Sequence, residues 1–316
     1  MNYLVTGGTG FIGSRIVRDL IRGGNNVIVY DFLPQTNIFQ EIMTEKEISV
    51  VKIVQGDILD LATLLRVCKE DKVDKIIHMA YFKTSLSKSN PLWATKVNCE
   101  GTGNIFETAR ILELKKVVWA SSIAVFGPQE KYPQEYIPND APHYPVNMYG
   151  ACKSFNENQA AHYCETYGMD IIGVRYATGY APNKTDSDTT PIIHEVIWKP
   201  ALGEPGKVPW GESFINWIHV DDDAGAAVHA AKVPMTKTKV FTVAGEARSI
   251  KEVADYVKKL IPTANITLEG GVRIRAHKFD LTSTRKELGY ENKWSFEEGI
   301  KDTINKLRHQ HGLPGV

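Results

Sequence analysis

Tyr149 and Lys153 stand four residues apart in Asn147-Met148-Tyr149-Gly150-Ala151-Cys152-Lys153, a segment that reads as the opening of a helix. At that spacing both side chains leave one face of the helix and can reach one site. Together they could move a proton. A phenol with a pKa of about 10 is a poor base at neutral pH, but a nearby ammonium and a nicotinamide cation both favour the phenolate and lower that value. Ser121-Ser122 follow the apolar run Lys116-Val117-Val118-Trp119-Ala120, which places small hydroxyls at the carboxyl end of a strand, where open α/β sheets bind ligands. Ser122 can share a hydrogen bond with the substrate hydroxyl that Tyr149 protonates or deprotonates, while hydride passes between the adjacent carbon and a nicotinamide. Tyr-x-x-x-Lys alone recurs by chance on many helices, so its weight depends on whether the chain also seats a dinucleotide.

Tyr3-Leu4-Val5-Thr6-Gly7-Gly8-Thr9-Gly10-Phe11-Ile12-Gly13 supplies that seat. It reads as a buried strand running through a glycine-rich turn into a helix from about Ser14 to Arg22. Gly7, Gly10 and Gly13 suit a tight turn, close approach of backbone to pyrophosphate, and close packing of helix on strand. Phe11 and Ile12, at the start of the helix, add amides and the helix dipole. The next strand, 26–30, ends in Asp31, where a carboxylate can hold a ribose 2′-hydroxyl. After a third strand, 50–54, Asp57 can accept from an adenine amino group while Ile58 packs on the ring; Asp57 could equally cap a helix over 60–70. Ala80, after strand 75–80, is small enough for close ligand approach, and His78 reads as a packed strand-end residue.

Strand and helix alternate with short links as far as strand 171–176, which predicts an α/β, doubly wound parallel sheet of the Rossmann type. Residues 1–176 form its cofactor domain, with a return segment at 216–243. Residues 177–215 and 244–316, rich in Pro, Gly and Trp at first, make a smaller C-terminal substrate lobe. Within the helix 91–112, Gly101 and Gly103 imply close packing against the sheet. With 316 residues, 43% of them hydrophobic, the chain can bury a large core, and 37 basic residues balance 37 acidic ones, so nothing points to nucleic acid or an anionic membrane. Cys68, Cys99, Cys152 and Cys164 have neither CxxC nor metal-ligand spacing, so no metal and no disulfide framework is expected. With no leader and no run of roughly 20 apolar residues, a cytoplasmic protein is expected.

The motifs taken together resemble the extended short-chain dehydrogenase/reductase family, which contains NAD-dependent sugar epimerases and dehydratases. Thr6–Gly13 matches its TGxxGxxG turn, Asp57-Ile58 its adenine contact, and His78–Lys83 its contact after the fourth strand. Asn98 matches a helix asparagine, Ser121–Gly127 the SSxxVYG strand end, Tyr149 and Lys153 the YxxxK pair, and Trp217–Asp222 a second-lobe signature whose Asp221 reads as a helix cap. The resemblance implies Ser122, Tyr149 and Lys153 as catalytic. It implies Gly7, Gly10, Phe11, Ile12, Asp31, Asp57, Ile58, Ala80, Lys83, Asn98, Tyr149, Lys153 and Tyr176 at NAD, with Asp31 repelling a 2′-phosphate, and a homodimer through helical faces near 98–112 and 150–167.

Three departures bear on substrate. Thr178 stands where nucleotide-sugar enzymes of the family carry Asn, and Ile215 where they carry the Arg that meets a diphosphate. Losing both weakens the case for a nucleotide diphosphate unless Arg273 and Arg275 supply charge. Ile123-Ala124 replace the Asp-Glu of 4,6-dehydratases, which disfavours loss of water. The expected activity is therefore interconversion of a secondary alcohol and a ketone on a small polar, sugar-derived or amino-acid-like substrate, as in the short-chain threonine dehydrogenases. Nucleotide-sugar epimerisation and a catalytically silent NAD sensor are the alternatives. Trp198, Trp210, Phe214 and Trp217, with His194, either line the substrate pocket or form the small lobe's core, while Tyr81 and Phe82 narrow the cleft from the other side.

Overall fold

The structure is a computed structural model that describes residues 1–82, 84–184 and 189–316. Its first six strands are β1 (Asn2–Thr6), β2 (Asn26–Asp31), β3 (Lys52–Gln55), β4 (Lys75–His78), β5 (Lys116–Ser122) and β6 (Ile171–Tyr176). β7 (Thr178–Tyr180), β8 (Gly206–Val208) and β9 (Phe214–His219) follow, then β10 (Val240–Val243), β11 (Glu246–Ser249) and β12 (Ile266–Leu268). β10 joins the first six in a seven-stranded parallel sheet of order β10-β6-β5-β4-β1-β2-β3. The direction of winding reverses between β1 and β4, and the crevice beyond their carboxyl ends is where such sheets take ligands.

Alternate residues of each central strand feed two cores, because side chains in a strand point to opposite faces. Tyr3 and Val5 pack with Ile16, Val17 and Leu20 of the helix Gly13–Arg22 and with the alanines of Val220–Ala230. Leu4 faces the other way, among Leu64, Ile105, Phe106 and Trp119. A sheet covered on both faces explains why these strands read as continuous apolar runs.

Some boundaries differ from the sequence reading. The helix expected over 91–112 is Pro91–Thr95, a π-helical turn at Lys96–Glu100, and Gly101–Ile111. Its glycines do not pack on strands: a Cβ on Gly101 would stand 2.6 Å from Ile58 Cδ1, and one on Gly103 would stand 2.8 Å from Gln159 on the neighbouring helix. The strand at 214–219 was expected to return to the central sheet, but β9 pairs with β7 and β11 in a sheet of its own.

That small sheet is the frame of the second core, in which Tyr180, Ile192, Val196, Ile215, Trp217, Val253, Phe296 and Ile300 are buried. Ser249 and Ser295 cap the helices Ile250–Leu260 and Phe296–Gln310 through reciprocal bonds with Glu252 and Glu298. The helix Val220–Ala230 is capped by His219, not by Asp221. Asp221 instead takes Arg18 at 2.9 Å, which ties this helix to Gly13–Arg22.

Candidate active site

A cavity of about 820 Å³ opens at the carboxyl ends of β1, β4 and β5 and reaches the second lobe. The glycine turn forms one side of it. Gly7 has φ +64°, and a Cβ there would stand 2.8 Å from Ala80 N, so a side chain is excluded on both counts. A Cβ on Gly13 would stand 2.1 Å from Gly7 O, which is why the helix can start directly beneath the turn. This bare cradle, lined by Gly7, Gly10, Phe11 and Ile12, fits a pyrophosphate. Asp31 lines the same wall, accepting from the Thr9 hydroxyl at 2.7 Å and the Thr9 N–H at 3.2 Å, so it also braces the turn. Asp57, Ile58, Ala80 and Tyr176 are further lining residues.

Asp57 is not a helix cap. Its carboxylate accepts from Leu59 N at 2.9 Å, and Asp60 caps the helix Leu61–Glu70. Asn98 does not line the cavity: its amide accepts from Phe82 N at 2.6 Å and donates to Phe82 O at 3.1 Å, pinning the backbone of the segment after β4. It can act on a cofactor only through that segment. Lys83 lies outside the described residues.

Opposite the turn, Tyr149 and Ser122 line the cavity side by side, close enough for the Ser122 hydroxyl to act on the Tyr149 phenol. Gly150 makes this meeting possible, since a Cβ on it would stand 2.2 Å from Ala124 O just after β5. Asn147 caps the helix Met148–Tyr167 by accepting from Gly150 N, which fixes the first turn carrying Tyr149. Lys153 lies behind Tyr149, 2% exposed, and its Nζ donates to Ala120 O at 2.5 Å. The rings of Tyr81, Tyr149 and Trp119 surround that ammonium at 5.3, 5.6 and 5.8 Å.

Burial pulls Lys153 down to about 8, with Glu157 among the charges opposing the shift. Burial also raises the Tyr149 hydroxyl, Tyr81 adds to the rise, and only the Ser122 hydrogen bond lowers it. The expected depression of Tyr149 by Lys153 is thus reversed in the protein alone, because desolvation of a phenolate outweighs a cation that lies behind the ring. His78, hydrogen-bonded between Thr6 and Thr102 and pushed down to about 3 by burial, is a neutral packed residue.

A buried network not foreseen from the sequence supports the helix Met148–Tyr167. Glu157, one turn beyond Lys153, accepts from Ser121 Oγ at 2.5 Å and is gripped by Arg175 at 2.8 and 2.6 Å. Arg175 Nη2 also approaches His143 Nε2 at 3.2 Å. The signal was available, since Glu157 follows Lys153 at i+4 on the same face.

Two roles are open to the aromatic set, and none of its members lines this cavity. Trp217 is in the second core and Trp198 packs against it, stacked on His194 at 4.0 Å. Phe214 stacks on His277 at 5.3 Å, and Trp210 lies under the Arg273 guanidinium at 5.6 Å. Tyr81, Phe82, Trp93 and Phe126 line the cavity instead. Ile215 is buried in the second core, away from any ligand, whereas Thr178, Arg273 and Arg275 line the cavity.

The model of the NAD dependent epimerase/dehydratase family matches residues 3–244. The chain belongs to that family and is an NAD-dependent enzyme of the extended short-chain dehydrogenase/reductase class. It is 28% identical to a UDP-glucose 4-epimerase of Lactobacillus helveticus, an alignment covering 96% of this chain and 95% of the relative. A dTDP-glucose 4,6-dehydratase of Streptomyces niveus is 26% identical, over 98% of this chain and 93% of its own. Among solved structures, a UDP-glucose 4-epimerase of Thermus thermophilus in complex with NAD superposes with a TM-score of 0.83 at 24% identity, covering 98% of this chain and 99% of that one. Among the described residues no helix is long and apolar enough to cross a membrane, and no cluster of side chains could hold a metal ion.

Proposed function

We propose that this protein interconverts a secondary alcohol and a ketone on a small polar, sugar-derived substrate, with Tyr149 as the acid and base. The observation that carries this reading is that Ser122 and Tyr149 line the same cavity as the glycine cradle, with the Lys153 ammonium behind the Tyr149 ring. Bound NAD supplies the hydride acceptor for oxidation and the donor for reduction. Gly7, Gly10, Phe11 and Ile12 would hold its pyrophosphate, Asp31 its ribose, and Asp57 and Ile58 its adenine. Ala80 and Tyr176 complete that wall, and Asn98 keeps the segment beyond Ala80 in place. Ser122 orients the substrate hydroxyl, and Tyr149 Oη removes its proton as the carbinol C–H bond breaks; in reduction the same oxygen returns the proton. Lys153, joined by the positive nicotinamide ring of oxidised NAD, would favour the phenolate.

A second reading, nucleotide-sugar epimerisation, is favoured by Arg273 and Arg275, whose place on the cavity wall offers a diphosphate the cations that Ile215 does not. The named relatives also favour it. Turnover of a panel of secondary alcohols, hydroxy amino acids, free sugars and UDP-sugars, followed by NADH absorbance and by product stereochemistry, tests both. Net NADH formation supports oxidation; an epimerised UDP-sugar with no net NADH supports the second reading. Association of two copies through the helical faces near 98–112 and 150–167, where Ile111 and Phe155 are exposed, is a further part of this proposal, checked by light scattering.

A further inference from the structure

The geometry points to Lys184 as a phosphate subsite of this cavity, resting on the reading that the cavity takes NAD and a sugar-derived substrate. Lys184 follows Tyr180-Ala181-Pro182-Asn183, and Asn183 has φ +70°, a left-handed turn that folds the chain back on β7. The side chain is 8% exposed and yet lines the cavity, beside Thr178, Gly179 and Asn183. Its Nζ donates to Gly179 O at 2.5 Å and stands 5.5 Å from the ring of Phe11, a residue of the pyrophosphate cradle.

The charges around Lys184 leave it incompletely matched. Asp223 is fully buried against Gly179, where a Cβ would stand 2.4 Å from Oδ2, and neither carboxylate oxygen has a hydrogen-bond partner. Burial pushes the Asp223 carboxyl well above its ordinary range, so Lys184 meets it as a largely uncharged group, and the two share one pocket without making a bond. Burying an ammonium on a single backbone carbonyl is costly, and the cost shows in Lys184 being pulled down to about 8 by desolvation. A phosphate entering the cavity would supply the contact that Asp223 does not make. Arg15, the other cation on the Phe11 ring, is committed: it donates to Phe11 O at 2.7 Å and Pro182 O at 3.3 Å, and it is absent from the cavity wall. Lys184 is thus the cation of the pair that a ligand can reach.

The phosphate could be the pyrophosphate of NAD or a phosphate on the substrate, and binding measurements separate the two. NAD is titrated calorimetrically onto the intact protein, and inorganic pyrophosphate onto the protein with and without saturating NAD, for wild type, K184M, K184Q and K184R. A rise of about tenfold in the NAD Kd of K184M, largely restored in K184R, assigns the ammonium to the cofactor. The same rise confined to pyrophosphate on NAD-loaded protein assigns it to the substrate. Should K184M not fold, K184Q carries the test, because its amide keeps the bond to Gly179 O while removing the charge, and the same loss of phosphate affinity is expected. Unchanged Kd values in folded K184M or K184Q overturn the subsite and leave Lys184 a structural residue. Wild type that binds pyrophosphate but no NAD overturns the functional reading while leaving the subsite standing.

Discussion

Lys153 and Lys184 are both fully buried, both donate to a backbone carbonyl at 2.5 Å and both are pulled down to about 8, yet they stand in unlike surroundings. Lys153 sits on a long helix, ringed by Tyr81, Tyr149 and Trp119, with Glu157 locked one turn away by Arg175. Lys184 sits on a turn after β7 against one ring, beside an Asp223 carboxyl that makes no hydrogen bond among the described residues. The difference is one of preorganisation. A group that must act in the same way on every turnover is held by a filled network, whereas a group that meets a ligand keeps bonding capacity in reserve.

The sharpest way to test the first member of this pair is to remove its partner: Tyr149→Phe is expected to lower kcat by about 10²- to 10⁴-fold with NAD affinity little changed, read by steady-state kinetics and calorimetry. An unaltered kcat would return the protein to the class of silent NAD sensors. Glu157→Gln leaves Arg175 buried without its counter-ion, so a loss of stability of about 3 kcal/mol is expected in urea unfolding. It also removes one of the charges that oppose the lowering of Lys153, so the alkaline limb of the kcat profile should move slightly to lower pH; a profile that stays put would leave Glu157 a purely structural residue.

Both lysines link stability to pH with one sign. Their folded values near 8 lie below the ordinary 10.5, so between these limits the unfolded chain binds more protons, and stability should rise with pH in that window. Each can contribute up to about 3 kcal/mol, and K153M and K184M should each flatten the slope of unfolding free energy between pH 8 and 10. A slope unchanged in either variant would show that this lysine titrates normally. The smallest effect expected is at the far end of the cavity, where Asp31→Ala should raise NADP use relative to NAD by roughly tenfold in kcat/KM.

The catalytic half was legible because its motifs are local. Gly7, Gly10 and Gly13 lie within one turn, Tyr149 and Lys153 on one helical face, and Ser122 at the end of an apolar run. The same reading failed where a residue's role depends on what another segment brings to it. Asn98 serves the Phe82 backbone and Gly103 a neighbouring helix, and only the fold sends Trp217 into the second core and Trp210 under Arg273. No spacing in the chain relates Lys184 to Phe11 or to Asp223, since these residues lie on segments far apart in sequence that only the tertiary structure brings together.

Local pattern in the sequence, with periods of two and of about 3.6 residues, determined the parallel sheet, the nucleotide cradle and the face shared by Tyr149 and Lys153. The tertiary structure alone decided which buried charges are paired, which way burial moves Tyr149, and which cations reach the cavity. Those properties depend on desolvation and on distances between segments far apart in the chain, and neither quantity is written in residue order.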